Sequence, residues 1–458
     1  MVVSASLFAA APKYVILFIG DGFSIPQRMV AEEFSRSEGR GELAVNHLKN
    51  HALTRTCSAS SLITDSAAAA TAIACGCKTS NGTVGLDKDR KRVESVAEVA
   101  HRKGRKVGIV SSCYITHATP AGFYAHRKHR GLLYQIGLDL IASGFDYFAG
   151  GGFGGKSDDR KDPEYRGNLY DLAAAAGYRV VTNRADFAAL APGAGKTLYA
   201  ACDGHMPHAI DSDGSLPTLA ELTSKGLELL DGPEGFFLMV EGGEIDFSGH
   251  ANDAATNLRE TMALDDAVRT ALKFQAAHPD DTLLLVTGDH ETGGMAMGFA
   301  GTGYALYVKR LACQSRSCGG FNRLLKEARK NAKKKGVEFT FADARPLLED
   351  TFGFDFSSAS ADKKNGDDGS KFASGAATPD DKIVITPDDM KALEKAFADN
   401  KLSDAARRII SEKAGIGWSS GAHTALPVLT TSQGPCSDLF TGFIDNTDIS
   451  NRLKGLYD

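Results

Sequence analysis

The sequence has neither a surplus of positive charge nor a long apolar run. Its 458 residues include 52 Lys and Arg against 57 Asp and Glu, which gives a net charge of −5. General binding of nucleic acid needs a cationic surplus that faces the phosphates, so the charge balance argues against that class of protein. The longest apolar runs, Tyr14–Ile19 and Phe236–Val240, fall well short of the roughly 20 residues that span a bilayer, and we predict no membrane span.

The eight cysteines lack the spacing of a zinc finger. Cys313 and Cys318 bracket a four-residue polar loop, Gln-Ser-Arg-Ser, which a small disulfide could close. The alternative is that most of the cysteines are small buried hydrophobic residues. Cysteine usage therefore leaves the redox compartment open.

The first segment of the sequence, Met1–Ala11, is apolar and ends in three alanines. It is similar to the end of a secretion signal, but it is short and lacks a basic start. The other interpretation is an edge segment of the fold, and the composition favours neither.

What the sequence does contain is an alternation of strand and helix patterns over residues 12–300. Apolar residues make up 43% and charged residues 24%, as in soluble globular proteins. Strands are predicted at the following short apolar runs: Tyr14–Ile19, Lys106–Ser111, Arg179–Thr182, Phe236–Val240 and Thr282–Thr287. Helical patterns precede four of them, at Val93–Lys103, Asn168–Ala176, Thr218–Leu230 and the stretch around Leu264, Val268 and Leu272. Repeated βα units with fully apolar strands predict an α/β fold: a large, mostly parallel sheet between two layers of helices.

The character of the sequence changes after Gly301. Residues 310–355 are basic and helical, and residues 356–381 have almost no apolar content, which predicts a surface loop. Thr386–Asp389 resembles a capped helix start that leads into Met390–Ala398. We interpret 305–415 as a surface insertion within a single domain of residues 1–458; a second independent domain is the alternative.

Polar side chains follow four of the predicted strands, where a parallel sheet presents its ligand site. These residues are Asp21 after the first strand, His117 and Thr119 after the second, Glu241, Asp246 and His250 after the fourth, and Asp289 and His290 after the fifth. Each one alone has a structural explanation as a turn, a cap or a satisfied histidine. Together at one sheet edge they predict a functional site, and their chemistry suits zinc or magnesium.

Ser66 stands at the start of an alanine-rich stretch that favours a helix. The N-terminus of a helix stabilises an oxyanion or a bound phosphoryl group, which would suit a nucleophilic serine. The alternative is that Asp65 or Ser66 only caps the helix, and the local sequence by itself favours the cap.

These residues belong to six motifs that resemble alkaline phosphatase, in the order of that family. The motifs are Gly20-Asp21-Gly22, Asp65-Ser66-Ala67, His117–Ala121 with Arg130, Glu241 with Asp246 and His250, Thr287–Thr292, and Gly421-Ala422-His423-Thr424. The resemblance runs from about residue 13 to the C-terminus and covers 305–415 poorly. It implies hydrolysis of phosphate monoesters through a phosphoserine at Ser66, a homodimer, and a periplasmic or secreted location.

The resemblance also implies a role for each site residue. Asp246, His250 and His423 would bind a first Zn²⁺; Asp21, Asp289 and His290 would bind a second Zn²⁺; Asp21, Thr119 and Glu241 would hold Mg²⁺. Arg130 would clamp two phosphoryl oxygens, with Asp65 orienting its guanidinium. Without the resemblance, Arg130 would be interpreted as part of the solvated basic face formed with its neighbours at 126–129.

Two positions depart from the usual pattern of the family. Family members carry Asp or His near the magnesium site, and this chain has His117, which we expect to bind a metal-bound water; direct ligation of zinc is the competing interpretation. The position after Asp246 is often Lys or His, and here it is Phe247, which cannot contact phosphate through a polar group. The alternatives to a phosphomonoesterase are a related diesterase or other superfamily hydrolase and a non-catalytic phosphate- or metal-binding protein.

Overall fold

The computed structural model describes residues 11–357 and 383–457. Two segments interpreted above, 1–11 and 356–381, therefore lie outside the described residues except for Ala11, Phe356 and Ser357. In the described part of the chain, no helix has the length and apolar character needed to cross a membrane.

The described strands and helices alternate along most of the chain. The strands are β1 (Tyr14–Gly20), β2 (Asn50–Arg55), β3 (Lys106–Tyr114), β4 (Tyr147–Gly151), β5 (Arg179–Val181), β6 (Thr197–Ala200), β7 (Phe236–Gly242), β8 (Thr282–Gly288), β9 (Glu291–Thr292), β10 (Met295–Met297), β11 (Phe354–Asp355), β12 (Ile383–Val384), β13 (Ile416–Trp418), β14 (His423–Thr424), β15 (Val428–Gln433) and β16 (Gly442–Asp445). The helices are α1 (Ile25–Ser37), α2 (Ser66–Cys75), α3 (Val96–Arg102), α4 (Ala118–Ala121), α5 (Leu133–Ser143), α6 (Leu169–Ala175), α7 (Arg184–Ala188), α8 (Leu219–Leu230), α9 (Glu244–His250), α10 (Ala254–Ala277), α11 (Cys318–Lys334), α12 (Phe341–Phe352), α13 (Pro387–Ala398), α14 (Leu402–Ala414) and α15 (Asn446–Gly455). All five predicted strands and the helices predicted before them are present.

Ten strands form one sheet in the order β16-β2-β15-β8-β1-β7-β3-β4-β6-β5. Neighbouring strands are parallel except where β15 pairs with β2 and β8. This arrangement confirms the predicted α/β fold with a mostly parallel sheet.

Helices cover both faces of the sheet, and β1 shows why its sequence is apolar throughout. Ile16 and Phe18 pack in one core cluster with residues of α1, α8 and α10. Val15 and Leu17 pack in the other cluster with residues of α2, α3, α5 and α15. Because successive side chains of a strand point to opposite faces, a strand buried on both sides needs no polar position.

The register of the central strands brings three glycines level with one another. Gly20 of β1 lies opposite Gly242 of β7 and Gly288 of β8, so these strands end together. A Cβ on Gly288 would overlap the carbonyl oxygen of Phe23, whose loop passes directly over the strand end. Glycine here permits the close approach of two backbone segments.

Buried residues from the segment after Gly301 join the core cluster on the α10 side of the sheet. They include Leu311, Phe321, Leu348, Leu393 and Ile409. The predicted helix start is confirmed, because α13 begins at Pro387, with Thr386 and Asp389 bonding each other's backbone N–H groups in a capping box. The interpretation of 305–415 as an insertion in a single domain stays a prediction.

The prediction that a disulfide could join Cys313 and Cys318 is wrong, because none of the eight cysteines forms a disulfide. Cys318 begins α11, where its thiol faces the carbonyl oxygen of Ser403 at 3.9 Å. Cys313 instead packs beside Gly353. The two side chains are therefore held by different neighbours, and Cys318 fits the interpretation of a small buried residue.

We predict that Gly288→Ala lowers the thermal unfolding midpoint, because the added methyl group must displace the Phe23 loop or the end of β8. Overpacking of this kind costs about 1–3 kcal/mol. The matched control is Gly455→Ala at the end of α15, where an added methyl group meets no atom within 4 Å. The control should unfold at the wild-type temperature or slightly above it, and equal midpoints for the two variants would contradict the prediction.

Candidate active site

Ser66 is the first residue of α2, and its hydroxyl is buried at the sheet edge. Its Oγ lies 3.4 Å from Asp21 Oδ1 and 3.3 Å from His290 Nε2. Asp65 is the N-cap, and its Oδ1 accepts a hydrogen bond from the Ala68 N–H at 3.0 Å. The predicted cap is thus formed by Asp65, while Ser66 is free to face the acidic and imidazole groups.

Asp246, His250 and His423 form one group that could hold a metal ion. One turn of α9 separates Asp246 from His250, and His250 Nε2 lies 3.4 Å from Asp246 Oδ2. The Nε2 atoms of His250 and His423 lie 3.1 Å apart, and His423 Nε2 lies 3.5 Å from Asp246 Oδ1. Backbone carbonyls of Gly421 and Thr64 lie 2.8 Å from the two Nδ1 atoms. With the Nδ1 atoms donating to these carbonyls, both Nε2 lone pairs converge on one point, as a metal site requires.

Asp21, Asp289 and His290 form a second such group, which is fully buried. His290 Nε2 lies 3.3 Å from Asp21 Oδ1 and 3.3 Å from Asp289 Oδ2. Asp289 Oδ1 accepts from the N–H groups of Gly22 and His290, at 3.0 and 2.8 Å. Asp289 Oδ2, by contrast, is buried with no hydrogen-bond partner.

Thr119, Glu241 and His117 surround the other oxygen of Asp21. The Thr119 hydroxyl donates to Asp21 Oδ2 at 3.2 Å. His117 Nδ1 lies 3.2 Å from Glu241 Oε1 and 3.8 Å from Asp21 Oδ2. Asp21 therefore links this oxygen-rich corner to the group that contains Asp289 and His290.

Arg130 points at the site and not into the basic face suggested by its neighbours. Its Nη1 donates to Asp65 Oδ2 at 3.2 Å, and its Nη2 lies 3.0 Å from His117 Nε2. His126 contacts Glu98, and Arg127 pairs with acidic side chains elsewhere. The guanidinium is thus available to a ligand beside Ser66.

Buried carboxylates dominate the electrostatics of the site. Burial, together with the charge of Asp289, raises the pKa of Asp21 well above its usual range. Burial and the charge of Asp246 do the same to the pKa of Asp289. Burial and the stacked ring of His423, 3.6 Å away between centroids, lower the pKa of His290. The side chains around these buried carboxyl groups do not supply enough positive charge to balance them in their ionised form. The site therefore favours a bound cation.

The group around Asp246 behaves differently, because histidines surround that carboxylate. Burial acts to raise the pKa of Asp246, but the hydrogen bond with His250 and the nearby imidazoles bring it below the ordinary value. The same hydrogen bond raises the pKa of His250 to about 9. Such a pair would lose its shared proton when a metal ion binds.

The structure therefore brings together every residue that the sequence singled out, and it adds several more. Thr292 donates to Asp246 Oδ1 at 2.5 Å and lies 3.2 Å from His290 Nδ1. Ser111 donates a short hydrogen bond to Glu241 Oε2. Thr292 could have been predicted as a site residue, because it lies in the same motif as His290. Ser111 could not, because it lies in an apolar strand where the sequence pattern indicates no functional residue.

Comparison with known proteins identifies the family. The family model described as alkaline phosphatase matches residues 12–457. The chain belongs to the alkaline phosphatase family. It is 31% identical to alkaline phosphatase 3 of Bacillus subtilis over 85% of this chain and 76% of that protein.

Solved alkaline phosphatases share the fold. The structure of a cold-active alkaline phosphatase from a psychrophilic Shewanella is 27% identical, with a TM-score of 0.80 over 97% of this chain and all of that one. Alkaline phosphatase from the Antarctic bacterium TAB5 has been solved as variants with one histidine replaced by Glu or Asp, with Mg bound in the M3 site; they are 26% identical, with a TM-score of 0.68 over 98% of this chain and 99% of theirs.

The family establishes the activity. The protein is a metal-dependent phosphomonoesterase, and the family reaction passes through a phosphoserine intermediate. The expectation of an alkaline phosphatase is confirmed. The match supports neither the diesterase nor the non-catalytic alternative.

Proposed function

We propose that Ser66 is the nucleophile of this phosphatase and that three metal ions surround it. Asp246, His250 and His423 would hold one Zn²⁺, and Asp21, Asp289 and His290 would hold a second. Asp21, Thr119 and Glu241 would hold Mg²⁺. The observation that carries this proposal is Asp289 Oδ2, which is buried with no hydrogen-bond partner. It lies 3.3 Å from His290 Nε2, and that nitrogen lies 3.3 Å from Ser66 Oγ.

The donor sets fit the proposed metals. Imidazole nitrogen with carboxylate oxygen is a zinc set, and the converging Nε2 atoms of His250 and His423 supply two of its donors. Thr119 and the two carboxylates supply oxygen alone, which suits Mg²⁺. When bound, such ions would lower the pKa of an attached hydroxyl and stabilise the entering and leaving oxygens of an in-line displacement.

Ser66 would carry the covalent step. Its Oγ would form a bond to phosphorus as the bond from phosphorus to the alcohol oxygen breaks, and the alcohol would leave. Water would then attack the phosphoserine, release inorganic phosphate and restore the Ser66 hydroxyl. The N–H groups of the first turn of α2 would favour the negative charge that gathers at this point.

Arg130 would bind the phosphoryl group. Its planar guanidinium can donate to two phosphoryl oxygens at once, which a lysine cannot reproduce. The Asp65 carboxylate, whose Oδ2 accepts from Arg130 Nη1, would hold the guanidinium in place. One aspartate would therefore support both the helix that carries the nucleophile and the cation that binds the substrate.

His117 would form a hydrogen bond with a water molecule bound to the third metal. Asp21, Thr119 and Glu241 provide three oxygens, so waters would complete an octahedron. In two TAB5 variants a carboxylate replaces a histidine and Mg is bound in the M3 site, which supports the expectation that a carboxylate in such a position is compatible with Mg²⁺.

The remaining parts of the proposal come from the family resemblance and, for the 305–415 segment, from the polar sequence that separates His290 from His423. We propose a homodimer and a periplasmic or secreted location. We also propose that the 305–415 segment lies at the site mouth or the dimer interface and supplies no metal ligand. In support, the metal-capable groups among the described residues include none from 305–357 or 383–415.

We predict that Ser66→Ala lowers turnover of an aryl phosphate by about three orders of magnitude or more, because the attacking oxygen is removed. It should also abolish the phosphoserine trapped at low pH. The control is Ser80→Ala, an exposed serine, which should retain both. Mass spectrometry that locates the phosphoryl group on another residue would refute the assignment.

We predict that activity rises from neutral into alkaline pH. The Ser66 hydroxyl must lose its proton to attack, and metal coordination lowers its pKa only part of the way. The measurement is kcat/KM for a simple aryl phosphate across the pH range at saturating metal. An optimum below neutrality would contradict the mechanism.

We predict that His117→Asp tightens Mg²⁺ binding, because it adds negative charge and an oxygen donor beside Glu241. Titration of the apoenzyme with Mg²⁺ measures this directly. His129→Asp, at an exposed position on the same stretch, controls for charge alone and should leave the affinity unchanged. If His117→Asp instead weakens Mg²⁺ binding and releases a tightly held zinc, His117 is a direct zinc ligand.

A further inference from the structure

A second set of metal-binding side chains lies next to the proposed magnesium site. Cys113 comes from the end of β3, His205 from the loop after β6, and Glu244 from the start of α9. One donor atom from each lies within 4.8 Å of the other two. None of these residues belongs to the three sites proposed above.

The distances in this cluster are close to those of a small coordination shell. Cys113 Sγ lies 3.4 Å from Glu244 Oε1, and His205 Nδ1 lies 2.8 Å from the same oxygen. In a tetrahedral zinc site with bonds of 2.0–2.3 Å, neighbouring donor atoms are about 3.3–3.8 Å apart. A small outward movement of the His205 ring would therefore create the space for an ion.

Two further side chains hold Glu244 in position. His208 Nδ1 lies 3.2 Å from Glu244 Oε2 and 3.2 Å from Glu260 Oε1. Glu260 also accepts from the Ala209 N–H at 2.6 Å. With Oε2 engaged by His208, Glu244 presents Oε1 to Cys113 and His205, as supported metal ligands do.

Burial and access also suit an ion that binds from solvent. Cys113 is fully buried and Glu244 nearly so. The His205 side chain retains 34% of its exposure, so the cluster opens to solvent on that side. The rings of Tyr114 and Phe247 flank His205, with centroids 4.7 and 4.5 Å from its own.

We propose that Cys113, His205 and Glu244 bind an additional divalent ion of the thiophilic class, such as Zn²⁺, Co²⁺ or Cd²⁺. As the bond from Sγ to the metal forms, the Cys113 thiol proton leaves to water. Sulfur, nitrogen and oxygen donors together suit these ions and not Mg²⁺ or Ca²⁺. Water would complete the shell.

A competing arrangement uses the same cysteine. Cys113 Sγ also lies within 4.8 Å of donor atoms of His117 and Glu241, so a metal in the third site could recruit the thiolate. The two arrangements differ in their histidine: His205 on the solvent side or His117 on the Arg130 side. Variants of the two histidines therefore separate them.

The test uses Co²⁺, because the three sites of the proposed catalytic centre contain no sulfur. The full-length apoenzyme is titrated with Co²⁺, and thiolate-to-cobalt charge-transfer absorption in the near ultraviolet reports bonding to cysteine alone. We expect this band in the wild-type protein, its loss with one Co²⁺ equivalent in Cys113→Ser, and at least about tenfold weaker binding in His205→Ala. Cys202→Ser, which alters the thiol that contacts the His205 carbonyl, should keep the band.

Four outcomes would overturn the proposal. They are a wild-type protein without the band, a band that persists in Cys113→Ser, a band lost in Cys202→Ser, and a band lost in His117→Ala but kept in His205→Ala. If Cys113→Ser does not fold, as judged by its thermal unfolding curve, His205→Ala and Glu244→Gln decide the question, since both must weaken the band. Phosphatase activity plays no part in the readout, so failure of this site and failure of the proposed catalytic roles are distinguishable.

Discussion

The register of three parallel strands is the constraint on which the rest of the structure depends. Gly20, Gly242 and Gly288 are in register, so β1, β7 and β8 end at the same point of the sheet edge. Asp21 and Asp289 follow immediately, and Asp246 follows in the first turn of α9. Because side chains alternate along a strand, a one-residue slip of any of these strands would turn its contribution away from the site.

That convergence has an electrostatic consequence. Asp21, Glu241, Asp246 and Asp289 are buried close together, and like charges in a low-dielectric region raise the free energy of the folded chain. The nearby imidazoles compensate Asp246 but not Asp21 or Asp289, because the pKa of Asp246 is lowered while the pKa values of the other two are raised. Binding of cations would remove this repulsion, and the free energy of metal binding would then also stabilise the fold.

The sequence predicted the structure best where a residue's environment follows from the pattern of its near neighbours in the chain. Fully apolar runs such as Phe236–Val240 indicated strands buried on both faces, and the polar residues after them indicated the site. Pairings that depend on tertiary packing were not predictable: β15 runs antiparallel between β2 and β8, and Cys313 and Cys318 face different neighbours. Ser111 and Cys113 were missed for the same reason, since inside an apolar strand a small polar residue has no signal of its own.

Asp65 shows why structural and functional interpretations of one residue need not compete. Its Oδ1 caps α2 through the Ala68 N–H, and its Oδ2 accepts from Arg130. The cap determines where the helix begins, and therefore where Ser66 stands; the ion pair determines where the guanidinium stands. A change at Asp65 would disturb the positions of both together. The local sequence favoured the cap because a cap depends only on neighbouring residues. The contact with Arg130 joins residues 65 positions apart, so it exists only once the sheet has formed.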